Sequence, residues 1–367
     1  VEDTEWIKPG MVSWIYWAYN HGSQDYQIVK EYIDLAVKMK WPYDLIDWEW
    51  DVMRNGGNIQ DAVKYALSQG VKPLVWYNSS TNWIGPGPLF RLNKKADREK
   101  EYKWLSDMGV AGIKVDFFSG DSVSTMNYYI DLLEDAVKYK LMLNFHGATI
   151  PRGWQRTYPH MMSVEGVYGA EWYNNTPVLT NRAAEHNATL PFTRNVVGPM
   201  DYTPGAMLNA HPETFYENQH EPMSQGTRSH QLAMYVVYES PLQMISDSPT
   251  KYDENIQSFE FIKNTPTTWD ETVPLGGEVG EYIAIARRHN NTWYIGVING
   301  ATPRHIEIDL SFIGNRPKKI KAHMDGINAV HQAKDSQVKD QIIENDKKLL
   351  IDMSRGGGYI GIIHIEK

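Results

Sequence analysis

A carboxylate that could attack a carbon centre closes a short apolar stretch in the middle of the chain, and a lysine stands two residues before it. The stretch is Gly112–Asp116, and alternation along a strand puts Lys114 and Asp116 on one side of it, apart from Val115. A carboxylate beside a buried lysine is held in its ionised form, which a carboxylate nucleophile requires. The alternative interpretation is a structural Lys–Asp pair inside the fold.

A second carboxyl group must donate a proton and later remove one from water. Glu171 follows another apolar stretch, Met161–Val167, and stands beside Trp172. An aromatic, partly dry setting favours the protonated acid. Glu165 competes for this role, although its position suits a metal ligand or an orienting group better. A surface-loop glutamate is the alternative for Glu171.

Further polar and aromatic residues end neighbouring apolar stretches and could contact a substrate. Asp47 and His146 could bind hydroxyl groups, and Glu49 or Asp51 could do the same if they face the site. Tryptophan and tyrosine offer a flat apolar face with a polar edge, which suits sugar rings, and the chain has 13 Trp and 22 Tyr against 9 Phe. Core packing is at least as common a role for such rings. The tryptophans that could form stacking walls are Trp14, Trp17, Trp48, Trp50, Trp76 and Trp172.

The elements that would position these residues alternate between apolar strands and amphipathic helices from residue 11 to about 250. This pattern predicts a (β/α)8 barrel over residues 1–275, with its active site at the carboxyl ends of the strands. The predicted strands are Met11–Trp17, Tyr43–Trp50, Lys72–Asn78, Ala111–Phe118, Leu141–Gly147, Met161–Val167, a weaker Asn195–Tyr202, and Leu242–Asp247. The predicted helices are Tyr26–Met39, Ile59–Leu67, Lys94–Met108, Asn127–Tyr139 and Gln225–Tyr238.

The character of the chain changes after about residue 275, where apolar and polar residues alternate with a period of two. The residues His289–Asn291 separate two such runs and indicate a hairpin. We therefore expect residues 276–367 to form a small antiparallel β-sandwich. The predicted strands are Glu281–Arg288, Thr292–Asn299, Arg304–Leu310, Lys318–Met324, Lys348–Met353 and Tyr359–Ile365.

Composition narrows the function further. The chain has 367 residues, a net charge of −9 and no cysteine, which excludes thiolate chemistry and argues against a nucleic-acid partner. No apolar run approaches the roughly 20 residues that cross a bilayer, so membrane insertion is not expected. Motifs of serine hydrolases, P-loop proteins, zinc proteases and dinucleotide-binding folds do not follow any predicted strand.

Longer motifs built around these residues resemble glycoside hydrolase family 97. The motifs that carry the resemblance are Trp41–Trp50, Gly112–Asp116, Leu143–Gly147, Val164–Glu171, His211–Phe215 and Ser240–Asp247. That family contains inverting α-glucosidases and retaining α-galactosidases. The inverting branch carries its general base directly after the histidine that ends strand five, where this chain has Gly147. The retaining branch places an aspartate nucleophile where Asp116 stands, and the shared general acid matches Glu171.

The resemblance thus implies an exo-acting retaining α-galactosidase that forms a covalent glycosyl-enzyme, with Asp116 as nucleophile and Glu171 as acid/base. Its two carboxyl groups should lie about 5–5.5 Å apart. Lys114, Asp47, Trp48, Trp76, His146 and Trp172 would then contact the carbohydrate. The alternatives are an inverting α-glucosidase of the same family and a non-catalytic carbohydrate-binding barrel.

Resemblance to the family also implies a calcium ion near the acid catalyst. Glu165, Glu171 and Asn144 are its expected ligands, because oxygen donors suit calcium. An N-terminal β domain usually precedes the barrel in this family and is expected to pack on it. The family's part in glycan degradation implies a periplasmic or secreted location.

Overall fold

The structure is a computed structural model that describes residues 2–175, 177–314, 319–343 and 347–365. Its contacts divide the chain into two compact units. The first unit comprises Val1–Gly169, Val197–Thr203 and Ser240–Pro249, and the second comprises Ala170–Val196, Pro204–Glu239 and Thr250–Lys367. The sequence-based boundary near residue 275 stays a prediction.

The strands are numbered along the chain. They are β1 Gly10–Trp14, β2 Tyr43–Ile46, β3 Lys72–Asn78, β4 Gly112–Asp116, β5 Met142–Phe145, β6 Met161–Val164, β7 Leu208–Ala210, β8 Met223–Gln225, β9 Leu242–Met244, β10 Glu271–Glu278, β11 Tyr282–His289, β12 Thr292–Asn299, β13 Arg304–Asp309, β14 Lys319–Asp325, β15 Ser336–Ile342, β16 Lys348–Met353 and β17 Gly358–His364.

The α-helices are numbered in the same way. They are α1 Tyr26–Met39, α2 Ile59–Ser68, α3 Lys95–Met108, α4 Val123–Lys138, α5 Trp154–Thr157, α6 Pro177–Thr180, α7 Ala183–Thr189, α8 Arg228–Val237, α9 Pro249–Glu254 and α10 Ile256–Lys263. Short 3₁₀ turns, including Trp50–Val52, Ala170–Asn174 and Arg194–Val197, complete the helical elements.

The first unit is built on a parallel sheet of seven strands in the order β6-β5-β4-β3-β2-β1-β9. Each of the first six strands pairs with its neighbour in the sequence, and β9 returns to pair with β1, as a (β/α)8 barrel requires. Apolar side chains from β1, β2, β3, β5, β6 and β9 form its core. The expected barrel is confirmed.

The strand predicted over Asn195–Tyr202 is wrong in extent. Its first part is the 3₁₀ turn Arg194–Val197, and its pairing is reduced to one parallel bridge between Met200 and Val164 of β6. Gly198 and Pro199 interrupt the segment, and proline cannot donate to a strand ladder. Because the bridge is parallel and lies beside β6, the segment still occupies the expected place in the barrel.

Helix boundaries in the first unit follow local capping chemistry. The Asp25 side chain accepts hydrogen bonds from the backbone at the start of α1, and Asn58 with Asp61 forms a reciprocal capping box on α2. Ser122 caps α4, which begins at Val123, four residues before the predicted start. Buried residues recur at helical spacing on α1, α2 and α4, which turns these helices towards the core.

The second unit contains an antiparallel sheet of six strands in the order β10-β11-β12-β17-β14-β15, and a separate pair, β13 with β16. The predicted hairpin is confirmed, since β11 and β12 pair directly from His289 opposite Thr292. Apolar residues from both sheets share one core, as a sandwich requires. Lys318, the predicted first residue of β14, lies outside the described residues.

Four strands of the second unit were not predicted, namely β7, β8, β10 and β15. The first two have three residues each. The other two are edge strands whose side chains are mostly exposed, so they lack the alternation that reveals a half-buried strand. Within the described parts of the chain, no helix is long and apolar enough to span a membrane.

Candidate active site

Asp116 is the last residue of β4 and its carboxylate is oriented by two donors. The indole Nε1 of Trp76 donates to Oδ2 at 3.1 Å, and the backbone N–H of Phe117 donates to Oδ1 at 2.8 Å. Trp76 comes from the neighbouring strand β3. Asp116 is 8% exposed, so a buried strand end presents a carboxylate that still reaches solvent, as a nucleophile must.

Lys114 lies two residues earlier on β4 and forms a buried ion pair with Asp47, which follows β2. The Lys114 Nζ to Asp47 Oδ2 distance is 3.2 Å, and the two side chains are 2% and 3% exposed. Trp14 donates from its indole Nε1 to the same carboxylate oxygen at 2.7 Å, and its ring lies 4.6 Å from the ammonium. Strands β1, β2 and β4 are thus tied together by one charged cluster beside the candidate nucleophile.

His146 follows β5 and lies between two carboxylates. Its Nε2 is 2.7 Å from Asp201 Oδ2, and its Nδ1 is 3.5 Å from Glu165 Oε2. Burial and the Lys114 ammonium lower the pKa of His146, but the Asp201 and Glu165 carboxylates outweigh them and raise it from 6.5 to about 10. Each nitrogen of the imidazole thus faces a carboxylate oxygen, an arrangement that favours the protonated ring.

Asn144 and Glu165 belong to the same strand-end cluster. The Asn144 amide donates to Ser163 Oγ at 2.8 Å and to Asp201 Oδ2 at 2.9 Å. The Glu165 carboxylate accepts from the backbone N–H of Gly147 at 2.7 Å. Among the described residues, two buried oxygens here have no hydrogen-bond partner, namely Asn144 Oδ1 and Asp201 Oδ1. Such oxygens are available to a cation.

Gly147 faces the Asp116 carboxylate across the site. Its φ is +49°, in the left-handed region, and a Cβ placed on it would come within 2.9 Å of Asp116 Oδ1 and 2.7 Å of the Phe117 nitrogen. Real Cβ atoms almost never approach backbone atoms this closely. The space that a side chain at position 147 would use is therefore taken by the carboxylate of Asp116.

The aromatic residues divide into core and site. Trp14, Trp17, Trp50 and Trp76 are at most 2% exposed, so each belongs at least in part to the packed interior. Trp48 is half-buried and meets Trp76 edge-on, with ring centroids 6.1 Å apart. Trp48 and Trp76 therefore form an aromatic wall. Its buried member, Trp76, binds Asp116, and Trp48 is its partly open member.

The remaining predicted residues belong to other segments of the chain. Glu171 and Trp172 lie on the 3₁₀ turn Ala170–Asn174 in the second unit, and both are half-buried. Glu49 lies 2.6 Å from the His21 ring and accepts from Gln24, at the periphery of the first unit. Asp51 lies on the 3₁₀ turn that follows. The structure thus brings together eight predicted residues within the first unit: Asp47, Trp48, Trp76, Lys114, Asp116, Asn144, His146 and Glu165.

Two residues of this cluster were not found from the sequence. Asp201 is 1% exposed and binds both Asn144 and His146, yet it stands in the segment with the weakest strand pattern. Trp83 lies in the loop after β3, where no periodicity points to it, and it packs against Trp48 and Phe117. A signal for Asp201 was its position directly after an apolar residue at a barrel strand end.

Two family descriptions match separate regions of the chain. Residues 10–167 match the family described as glycoside hydrolase 97, and residues 268–364 match the family described as glycosyl-hydrolase 97 C-terminal, oligomerisation. A relative from Bacteroides thetaiotaomicron, described as a retaining α-galactosidase, is 37% identical over 372 residues, which cover 98% of this chain and 54% of the relative. The chain therefore spans about half the length of this curated relative.

Solved structures agree with these matches. The crystal structure of a β-arabinopyranosidase has a TM-score of 0.86 and 32% identity, covering 97% of this chain and 56% of that one. A glycoside hydrolase family 97 enzyme from Pseudoalteromonas sp. strain K8, in complex with acarbose, has a TM-score of 0.83 and 25% identity, covering 100% of this chain and 62% of that one.

A parallel barrel with carboxylates and tryptophans at its strand ends has the architecture of many glycoside hydrolases. The two family matches together cover most of the chain and agree with that class. This chain belongs to glycoside hydrolase family 97.

Proposed function

We propose that this chain provides the catalytic part of a retaining α-galactosidase. The observation that carries the proposal is the pairing of Asp116 with Gly147. Asp116 is a carboxylate held at a strand end by Trp76, and a side chain at position 147 would collide with it. The inverting branch needs a glutamate base at that position, and the retaining branch needs the aspartate. The similarity to a retaining α-galactosidase supports the same choice.

The reaction is a double displacement. Glu171 protonates the leaving oxygen while Asp116 attacks the anomeric carbon, so the glycosidic bond breaks as a galactosyl–aspartate bond forms. Glu171 then removes a proton from water, which displaces Asp116 and releases galactose with its configuration retained. The Lys114 ammonium donates hydrogen bonds to sugar hydroxyls and the Asp47 carboxylate accepts from them, while His146 orients the Asp201 and Glu165 carboxylates that its two nitrogens face.

Two substitutions test these roles. Asp116→Asn removes the nucleophile, and turnover of an aryl α-galactoside falls to background. Glu171→Gln lowers turnover of a disaccharide by about a hundredfold to ten-thousandfold, the usual contribution of general acid–base catalysis. Asp121→Asn is the matched control, because Asp121 is an exposed carboxylate of the loop that follows β4. Full activity in Asp116→Asn would refute the proposed nucleophile.

A β-arabinopyranosidase is the second candidate, because a protein of that description has the same fold at 32% identity. β-L-Arabinopyranose presents the same ring hydroxyls as α-D-galactose and lacks only the exocyclic hydroxymethyl group. The two activities therefore differ only in what surrounds that group. The ratio of kcat/KM for the two aryl glycosides, measured on the same preparation, decides between them.

Calcium is part of the proposal, and the donor set fits it. Carboxylate and amide oxygens are the donors that calcium prefers, and the orphaned Asn144 Oδ1 lies in the cluster that holds Glu165. Glu165 and Asn144 would hold the ion, with Glu171 as the third ligand implied by the family resemblance. A bound calcium ion would supply positive charge near the leaving group.

Calcium binding is tested by thermal unfolding with and without added calcium. A bound ion stabilises the folded chain by mass action, by about 2.7 kcal/mol at a hundredfold excess over Kd. Glu165→Gln should reduce the calcium-dependent shift, whereas Glu31→Gln, an exposed glutamate on α1, should keep it. An unchanged melting temperature in the wild type would refute calcium.

Two further parts of the proposal concern a preceding domain and the cellular location of the protein. A β domain in front of the barrel and a periplasmic or secreted location are expected from the family resemblance. Fractionation of cells that produce the full-length protein tests the location. Recovery of the protein only in the cytoplasmic fraction would refute it.

A further inference from the structure

We propose that Trp83 is the platform on which the leaving group of the substrate stacks, and that this leaving group is a second sugar ring or another flat group. The inference rests on the proposed function, since it names the chemistry that the same site accepts beyond the galactose ring. It is carried by the exposure of Trp83, by the contacts that hold its ring, and by its connection to Asp116.

Trp83 is the one tryptophan in the described chain that is exposed. Its exposed fraction is 48%, whereas Trp14 on β1 and Trp76 on β3 are at most 1% exposed. A single exposed aromatic residue is common and needs no function. What distinguishes Trp83 is how its ring is held, and where.

The loop after β3 fixes the Trp83 ring in place. The Asn78 side chain, at the end of β3, donates to the Trp83 carbonyl at 3.0 Å and to the Pro86 carbonyl at 3.3 Å, which clamps both sides of the loop. The indole folds over Gly85, where a Cβ would lie 2.5 Å from two ring atoms. A side chain at position 85 would have to displace the indole, so the glycine lets the Trp83 ring lie against the loop backbone.

Two aromatic contacts then connect Trp83 with the nucleophile. Its ring meets the Phe117 ring edge-on, with centroids 4.6 Å apart, and Phe117 directly follows Asp116. Its ring also lies 5.9 Å from that of Trp48. Trp48 in turn contacts Trp76, which donates to the Asp116 carboxylate.

The order of these rings assigns their roles. The buried end of the wall holds Asp116, so the sugar that is attacked lies there. The leaving oxygen points away from Asp116, because attack occurs on the opposite face of the anomeric carbon. The group beyond that oxygen is therefore directed outward, where the open Trp83 ring offers a flat apolar surface that suits the C–H face of a pyranose.

The test compares two substrates that differ only in the leaving group. One is α-galactosyl fluoride, whose leaving group is too small to reach Trp83, and the other is galactose α-linked to glucose. In Trp83→Ala, the ratio of kcat/KM for the disaccharide to that for the fluoride should fall about tenfold, the size of one aromatic contact. Trp83→Tyr, which keeps an aromatic ring, should recover most of the ratio.

A matched control is Ile84→Ala, which removes an apolar side chain of similar exposure, 47%, from the same loop. Its ratio should equal that of the wild type. An unchanged ratio in Trp83→Ala would overturn the platform while leaving the α-galactosidase activity established. A wild type that hydrolyses neither substrate would overturn the proposed function, and the platform with it.

Discussion

At the scale of single residues, the candidate nucleophile depends on a position that carries no side chain. Gly147 has a left-handed φ of +49° and leaves the space that the Asp116 carboxylate occupies. A methyl group there must displace either the carboxylate or the Phe117 backbone. The identity of residue 147 therefore determines where Asp116 can stand.

Gly147→Ala should strongly reduce kcat for an aryl galactoside while it lowers the free energy of unfolding only slightly. Gly120→Ala is the control, because Gly120 has φ +61° and no other atom lies within 4 Å of the place that its Cβ would take. Both variants have the cost of a left-handed alanine, about 1 kcal/mol, but only the first disturbs Asp116. Equal kcat values in the two variants would contradict the steric account.

A second residue-scale feature is the buried carboxyl group of Asp44 on β2. The Ser13 hydroxyl lies 2.6 Å from Asp44 Oδ1 and 2.9 Å from the Tyr32 carbonyl, and its one proton cannot serve both. Burial raises the pKa of Asp44 from 3.8 to about 7, although the Ser13 hydrogen bond opposes this. A protonated Asp44 that donates to Ser13 Oγ leaves the hydroxyl proton for Tyr32.

This pKa shift predicts how stability depends on pH. Between about pH 4 and 7 the folded chain keeps the Asp44 proton that the unfolded chain has lost, so the contribution of Asp44 to the free energy of unfolding decreases as pH rises. The slope is at most about 1.4 kcal/mol per pH unit for one proton. Urea unfolding of wild type and Asp44→Asn at pH 4, 5.5 and 7 should show Asp44→Asn gaining relative stability as pH rises. A constant difference would contradict the shift.

The sequence predicted most residues of the cluster because they follow a rule of position. Asp47, Trp76, Lys114, Asp116 and His146 stand at the ends of apolar strands, and parallel strands bring such ends together. Asp201 was missed because the segment before it pairs through a single bridge. Trp83 was missed because its role arises from loop packing, which leaves no periodic pattern.

At the scale of elements, the helices α3 and α4 are linked by a buried ion pair. Arg98 is 1% exposed and donates from Nε and Nη2 to Asp135 Oδ2 at 2.9 and 2.7 Å, while Nη1 donates to the Leu92 carbonyl at 2.8 Å. All three contacts are made by one guanidinium group. The pair therefore fixes the loop before α3 as well as the helix packing.

Arg98→Met should lower the free energy of unfolding by about 1–3 kcal/mol, because Asp135 Oδ2 loses its buried hydrogen-bond donors while Oδ1 keeps the half-exposed Lys138 at 3.1 Å. Lys103→Met is the control, since Lys103 pairs with Asp107 on the exposed face of the same helix, and it should change stability little. Urea denaturation followed by far-UV circular dichroism measures both. Equal losses would show that burial of the pair does not matter.

Elements were predictable to the extent that one face of each is buried. α1, β3, β12 and β16 have the predicted bounds, because apolar periodicity and caps coincide there. β10 contains Pro274 and a Gly276–Gly277 pair, and both faces of the strand are largely exposed. Its pairing with β11 depends on a neighbour that no local pattern reveals.

At the scale of the whole molecule, a confirmed barrel and a family assignment support the proposed reaction. Composition argues against a nucleic-acid partner and excludes thiol chemistry, and the strand–helix order predicts the barrel. The choice between retention and inversion depends on one carboxylate and one glycine at the barrel rim. The central claim, that Asp116 is the nucleophile of a retaining enzyme, can therefore be tested by the stereochemistry of the product.

The most direct measurement is a proton NMR time course of aryl α-galactoside hydrolysis by this protein, read before the product mutarotates. The double displacement at Asp116 predicts that α-galactose appears first and that the β anomer grows in only later. First appearance of β-galactose would mean a single displacement by water, and it would contradict Asp116 as the nucleophile.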